Sequence, residues 1–414
     1  MRRSLLLVAQ LAPPSPLIAA RRAGALAKYL PRNGVEVTIL TSALSGDGPV
    51  EGAVEIVRTN DLLATRLNWR RKHFAAVSGE AAGTYGPPSR LQSVLVPDPA
   101  AVSWLPFALP GALALARKRR FDCVVTTSPP QSAHTVGAAL RRRGIRWIAE
   151  LRDGWTFEPP RSEWPLGAQR AFDRALERRL LRAADAVVGV TQPIVDDAAG
   201  RLGVEAHLIT NGFDPEEIGE AAGERGEPLL ASDRFSFVHT GRVGVTGRRL
   251  GPLTDALRVL RREDPELADR IEVVFAGPLS AVEEAELGAP EVSEMVRVVG
   301  AVPRPRALRL QRAADALIVL TRGARSEATG KVFEYLAARR PILVLGDDTE
   351  AARIVSDAGA GVAVPNNVAA VAAALRDLAT EARAGADGSA LERYSYPSVV
   401  AQYASLIERV CGPD

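Results

Sequence analysis

The chain has 414 residues, 47% apolar and 24% charged, a globular composition too long for one hydrophobic core, so two domains are expected. Its formal net charge is +3, its only cysteines are Cys123 and Cys411, and no apolar run reaches the roughly 18–20 residues of a membrane span. These numbers exclude a disulfide framework, a cysteine-based zinc site and a transmembrane helix, and they point to a reducing, cytoplasmic compartment.

The opening "MRRSLLLVAQLAPPS" imitates a secretion signal. Its apolar stretch is short, however, and an arginine-bearing helical pattern follows at once, so it reads as a buried first strand. Further strand candidates in the first half are 35–41, 122–128, 147–151, 186–191 and 206–210; the first strand spans 4–10. In the second half they are 235–241, 271–277, 296–300, 316–321, 341–346 and 361–365. Helical patterns fill most of the gaps, as in "AARRAGALAKYLPRNG" (19–34). Continuous apolar strands alternating with helices mean parallel sheets covered on both faces. The series occurs twice, so the expected fold is α/β with two doubly wound, Rossmann-like domains facing across a cleft. The break falls in the glycine- and acid-rich "NGFDPEEIGEAAGERGEP". The expected domains are 1–213 together with 394–414, and 214–393.

Charge is distributed unevenly. Residues 1–210 hold 28 Lys+Arg against 18 Asp+Glu, a balance of +10, and the remainder holds 24 against 31, a balance of −7. The excess sits in "WRRKHF" (69–74), "RKRR" (117–120) and "RRRGIR" (141–146). These clusters read either as solvated helix faces or as a surface for an anionic substrate or membrane. Nucleic acid is not expected, because aromatic residues are few and not interleaved with the clusters.

In doubly wound sheets ligands sit at the carboxyl ends of the strands, against helix N-termini. "SEATGKVFEYLAARRPILVLG" (326–346) occupies such a place, with a helix beginning near Gly330. Glu327, Lys331 and Glu334 follow i, i+4, i+7 spacing, which would put them on one stripe. They read either as surface ion pairs or as a site. A lysine at a helix N-terminus opposes the helix dipole unless an anion binds between them. Thr329 and Gly330 would let backbone N–H groups approach that anion, and Glu334, an acceptor only, suits sugar hydroxyls. A second signal is "FVHTGRVGVTGRRLGPL" (237–253), where Gly241 ends a strand and Arg242 and Arg248 follow. Arginines at such a junction can clamp a diphosphate. The sequence contains no D-x-D, phosphate loop, G-x-S-x-G elbow or histidine pair at metal-ligand spacing, so neither metal nor cofactor is expected. In the first half, His134 follows "TTSPPQSA" and Arg152–Asp153 lie in "ELRDGW", both after predicted strands. Arg152 and Asp153 are expected to form an ion pair that shapes the site. Arg21 or Arg22, opening the first helix, is placed to meet an anionic substrate.

Together these pieces resemble the family 4 glycosyltransferases, which have the GT-B fold. The resemblance covers nearly the whole chain. It rests on "GR" after the first strand of the second half, "VVGAVPRPRALRLQRAADALIVL", "TGKVFEYLAARRPIL" and "GAGVAVP", and in the first half on "PP…R", "SPP…H" and "LRD-x-W". It implies transfer of a sugar from a nucleoside diphosphate sugar to an acceptor, with retention and without a metal. The second domain would bind the donor and the first the acceptor, and the C-terminal helix would cross back to the first. Arg242 and Arg248, with Lys331, would hold the diphosphate. Gly241, Val302, Ser326, Glu327, Thr329, Gly330 and Glu334 would line the donor site. Arg22, His134, Arg152 and Asp153 would lie on the acceptor side. Glu334 matches the second glutamate of the family's E-x7-E motif. Ser326 stands where the first would fall, with Glu327 beside it. The basic first half adds the expectation of an anionic or lipid-linked acceptor, reached by peripheral contact with the inner face of an anionic membrane. A nucleotide-sugar epimerase or pseudo-glycosyltransferase of the same fold, and a catalytically inactive nucleotide-sugar binding protein, remain as alternatives.

Overall fold

A computed structural model describes residues 2–62, 95–159, 163–223, 229–243, 250–381 and 385–412. The described residues divide into two compact units, those within 212–395 forming one and those before 212 and after 395 the other.

The first unit is built on a seven-stranded sheet of β1 (Arg3–Val8), β2 (Val35–Ser42), β3 (Ala53–Thr59), β4 (Cys123–Ser128), β5 (Arg146–Leu151), β6 (Ala186–Gly189) and β7 (Ala206–Leu208). Their order is β3-β2-β1-β4-β5-β6-β7, all parallel. The second unit has a six-stranded parallel sheet of β8 (Phe235–Thr240), β9 (Ile271–Ala276), β10 (Val296–Val298), β11 (Ala316–Leu320), β12 (Ile342–Leu345) and β13 (Gly361–Val364), in the order β10-β9-β8-β11-β12-β13. Each sheet runs outward from its first strand, then restarts on that strand's other side. The switch points therefore lie between β1 and β4 and between β8 and β11.

All twelve expected strands are present, and β3 is one more than the sequence suggested. It is an edge strand with Val54 and Glu55 exposed, so "AVEIVRT" lacks the continuous apolar run that marks a strand buried on both faces. The period-2 geometry of β1 shows how the first core is divided. Leu5 and Leu7 face a cluster completed by Val399, Tyr403 and Leu406 of the C-terminal helix Tyr396–Cys411. Leu6 and Val8 face the opposite cluster, with Trp104, Trp147 and Trp155. The last helix thus belongs to the first unit, as the GT-B resemblance implies. In the second unit Phe237 and Phe275 face one cluster and Val238 and Val274 the other.

A buried ion pair joins helix Ile18–Tyr29 to the first sheet. Arg22, 2% exposed, donates from Nε to Glu150 Oε2 at 3.0 Å, and its Nη atoms reach the carbonyls of Ile209 and Thr210. Glu150, fully buried on β5, accepts a second hydrogen bond from Thr127 at 2.7 Å. Burial works against the arginine's charge, but the Glu150 carboxylate outweighs it and holds Arg22 above its ordinary pKa. Replacing Arg22 by Met strands a carboxylate in the core, which costs about 3–5 kcal/mol. Urea unfolding should show that loss, and the double variant Arg22→Met/Glu150→Gln should be more stable than Arg22→Met alone. A double variant less stable than the single one would contradict the pairing.

Candidate functional site

The carboxyl end of β8 is tied to three neighbouring elements. The Thr240 N–H donates to the Tyr335 hydroxyl at 2.8 Å, and Thr240 Oγ1 accepts from Gln311 at 2.9 Å. Gly241 N–H donates to Ala276 O on β9 at 2.7 Å. Gly241 has φ +88°, and a Cβ on it would lie 3.0 Å from Lys331 Cε. Glycine is favoured here by the left-handed turn, and its missing Cβ leaves room for the close pass of the lysine.

Lys331 belongs to the first turn of helix Gly330–Ala338, which follows β11 across the switch point. Its Nζ lies 3.0 Å from His239 Nε2 and donates to the Arg242 carbonyl at 3.1 Å. His239, 1% exposed on β8, has its Nδ1 2.9 Å from the Ile318 carbonyl. A carbonyl can only accept and an ammonium can only donate. Nδ1 therefore carries the proton, Nε2 accepts from the lysine, and the imidazole is neutral. Both of these acceptors on Lys331 are uncharged. The ammonium is steered to a helix N-terminus that itself favours negative charge. Thr329, the N-cap, is extended, and its buried Oγ1 has no hydrogen-bond partner in the structure.

The rest of the expected donor site is placed as follows. Glu334, 8% exposed, accepts from Arg304 Nη1 at 2.9 Å and from Gln311 Nε2 at 3.3 Å. Arg304 is shared with Glu217, its Nη2 donating at 2.6 Å. Burial opposes the charge on Arg304, but the two carboxylates prevail and hold its pKa above the ordinary value. Glu327 does not share a helical stripe with Lys331 and Glu334, because the helix starts three residues after it. Its carboxylate turns back to accept from the Arg322 N–H at 2.8 Å, closing the loop before the helix. That loop is also held by Ala351 N–H on the Glu327 carbonyl, at 2.9 Å. Ser326 is buried in the same loop, and Val302, half-buried, packs on the core beside helix Arg304–Ala313. Arg248 lies outside the described residues. His239, Gln311, Arg304 and Tyr335 are members of the site that sequence reasoning missed.

Two family models match. One described as Glycosyltransferase Family 4 covers residues 19–217, and one described as Glycosyl transferases group 1 covers 237–381. The chain belongs to the family 4 glycosyltransferases. Among curated proteins none matches this glycosyltransferase. Solved structures share its fold along almost the whole chain. Sucrose-phosphate synthase from Thermosynechococcus elongatus is 18% identical with a TM-score of 0.64, covering 98% of both chains. The UDP-forming α,α-trehalose-phosphate synthase from Burkholderia xenovorans, in complex with glucose-6-phosphate, is 14% identical with a TM-score of 0.64, covering 98% of this chain and all of that one. UDP-GlcNAc 2-epimerase from Methanocaldococcus jannaschii is 11% identical with a TM-score of 0.52, covering 98% and 99%. Among the described residues of the glycosyltransferase, no helix is long and apolar enough to cross a membrane.

The first unit corrects several expectations. Arg22 does not meet a substrate, because its guanidinium is engaged in the core by Glu150 and two carbonyls. Arg152 donates to the carbonyls of Ser128, Ala19 and Pro129, at 3.1, 2.6 and 3.0 Å. It fixes the Ser128–Pro129 turn at the end of β4, and the half-buried Asp153 beside it acts on its charge as the expected ion pair would. The clusters at 117–120 and 141–146 stand at helix C-termini, where the dipole favours cations, and lead into the amino ends of β4 and β5. Arg119 pairs with Glu36 and Glu55, and Arg141 and Arg146 with Asp185. They therefore do not line the carboxyl rim of the sheet. The 69–74 cluster lies outside the described residues.

His134, at the start of helix His134–Arg141, is fully buried, with its ring 5.8 Å from that of Trp155 and Nδ1 bonded to Thr126 Oγ1 at 2.8 Å. Burial lowers its pKa to about 3. The folded protein thus keeps it neutral, while the unfolded chain takes up a proton below pH ~6.5. Its contribution is complete above that pH and is lost as pH falls toward 3, by roughly 1–1.5 kcal/mol per pH unit. Between pH 7 and 5.5, wild type should lose about 1 kcal/mol more stability than His134→Gln in urea unfolding. Identical pH dependence in the two proteins would show that His134 titrates normally.

Proposed function

We propose that this glycosyltransferase moves a sugar from a nucleoside diphosphate sugar to an acceptor hydroxyl, with retention at the anomeric carbon and without a metal. The observation that carries this reading is the Lys331 ammonium, held by neutral His239 and the Arg242 carbonyl at the mouth of helix Gly330–Ala338. A diphosphate seated there would meet the lysine, the helix N–H groups and the Thr329 hydroxyl. In the transition state the leaving diphosphate gains negative charge, and fixed donors aimed at it lower the barrier without having to reorganise. Lys331 and Arg242 supply that role, joined by Arg248. Glu334, oriented by Arg304 and Gln311, would accept from the ribose hydroxyls. In this reading no covalent intermediate forms, and the acceptor hydroxyl attacks on the face that the leaving group vacates. The leaving phosphate takes the proton.

A nucleotide-sugar donor is further supported by a trehalose-6-phosphate structure from E. coli bound with UDP-2-fluoro glucose, which shares this fold with a TM-score of 0.60. The glucose-6-phosphate complex of the Burkholderia protein supports a sugar acceptor in the same way. A carboxylate-held metal is not part of the reading, since the sequence has no D-x-D to seat one.

A thermal-shift panel of nucleoside diphosphates should raise the melting temperature with UDP or GDP, because a ligand of the folded state stabilises it by mass action. Lys331→Ala should abolish that shift and reduce donor turnover by roughly 10²–10³-fold. His239→Leu should approach the same loss, while His239→Gln, which restores an acceptor, stays within a few-fold of wild type. Full turnover in both Lys331→Ala and His239→Leu would remove the site. Release of epimerised nucleotide sugar instead of transferred or hydrolysed sugar would favour the epimerase reading.

A further inference from the structure

The chain has only two cysteines, and the fold brings them together. Cys123 opens β4 and is fully buried, while Cys411 closes the C-terminal helix Tyr396–Cys411 and is half-buried. Cys411 Sγ lies 3.8 Å from the carbonyl oxygen of Asp122, the residue next to Cys123. Both side chains pack on the same apolar cluster, and each thiol is close enough to influence the other's ionisation. Arg3 anchors the end of that helix by donating to the Gly412 carbonyl at 2.7 Å, which brings a guanidinium close to Cys411.

The two sulfurs are chemically unlike. The neighbouring Cys123 thiol holds the Cys411 thiol below its ordinary pKa, against the effect of burial, and Arg3 adds to the lowering. Cys123 is pushed well above its ordinary value by its neighbour Cys411 and by burial. A partly exposed sulfur with thiolate character beside a buried second thiol is the arrangement that oxidants attack selectively and that a neighbour can resolve. Packing alone does not call for cysteine at both places, since a small apolar residue would fill either.

We propose that Cys123 and Cys411 are a peroxide-responsive thiol pair that closes to an intramolecular disulfide. The Cys411 thiolate attacks one oxygen of hydrogen peroxide, the O–O bond breaks, and hydroxide leaves, giving a sulfenic acid. That hydroxide takes the Cys123 proton to form water. The Cys123 thiolate then attacks the Cys411 sulfur, the S–O bond breaks, and the second oxygen leaves as hydroxide, which becomes water on protonation. In sum, two thiols are oxidised by two electrons and one peroxide is reduced to two waters. The product staples the last turn of the C-terminal helix to β4, closing a covalent loop that contains the whole second unit. In a reducing compartment the pair stays open until peroxide rises. This inference stands apart from the proposed transfer reaction, because the pair lies at the amino end of β4.

The test uses the full chain, treated with hydrogen peroxide under native conditions, quenched with a thiol-blocking reagent and digested with trypsin. Peptides 121–141 and 410–414 should be found joined, lighter by two hydrogens, and separated again by a reductant. The protein should form no disulfide between chains, lose both free thiols, and melt several degrees higher than its reduced form. Cys123→Ser should instead accumulate Cys411 sulfenic acid, trapped by dimedone. The wild-type peptide map decides the matter even if that variant folds poorly. Intermolecular dimers, over-oxidation of Cys411 with Cys123 still reduced, or two untouched thiols would each overturn the proposal.

Discussion

The turn after Thr240 is the constraint on which the second unit's site depends. A parallel strand ends there at a switch point, and its last backbone groups must still find partners. Tyr335 takes up the Thr240 N–H, Ala276 the Gly241 N–H, and Lys331 the Arg242 carbonyl. Satisfying the backbone therefore brings the first turn of helix Gly330–Ala338 against the end of β8. His239, one residue before Thr240, does the rest. With its Nδ1–H committed to Ile318, it can only accept from Lys331, and a flexible side chain becomes a fixed charge.

A comparable logic governs the first unit, with a different outcome. Arg22, Glu150 and Thr127 form a closed set that joins helix Ile18–Tyr29, β4 and β5, and the carbonyls of Ile209 and Thr210 complete it. Arg152 pins the Ser128–Pro129 turn from the other side. These arginines act on carbonyls and a buried carboxylate, and so they shape the carboxyl end of the sheet. The basic balance of the first half then reflects structural pairs and helix C-termini as much as any surface for a partner.

The fold was legible because strands buried on both faces are continuous apolar runs, and because two such series were separated by glycine and acid. Among the described residues only β3 escaped, as an edge strand whose exposed Val54 and Glu55 break the run. Gly241, Lys331 and Glu334 could be read from local context, since strand ends and helix starts carry their own signatures. Their partners could not. His239 lies 92 positions from Lys331, and Gln311 and Arg304 lie 23 and 30 positions from Glu334, and nothing local marks a histidine as an acceptor for a lysine. The same limit explains Arg22. An arginine opening a helix reads as ligand-seeking until a carboxylate 128 positions away is found beside it.

The central claim is that the diphosphate binds at the N-terminal end of helix Gly330–Ala338. The second unit also has an open cavity of about 520 Å³ at the opposite end of that helix, lined by Phe213, Ile218, Arg312, Ala338 and Arg339, which offers an anion a rival seat. A crystal structure of the complex with UDP or GDP distinguishes the two most directly. A β-phosphate oxygen should lie within hydrogen-bond distance of Lys331 Nζ and of the first N–H groups of the helix. A diphosphate found beside Arg312 and Arg339, with Lys331 still held only by protein, would contradict it.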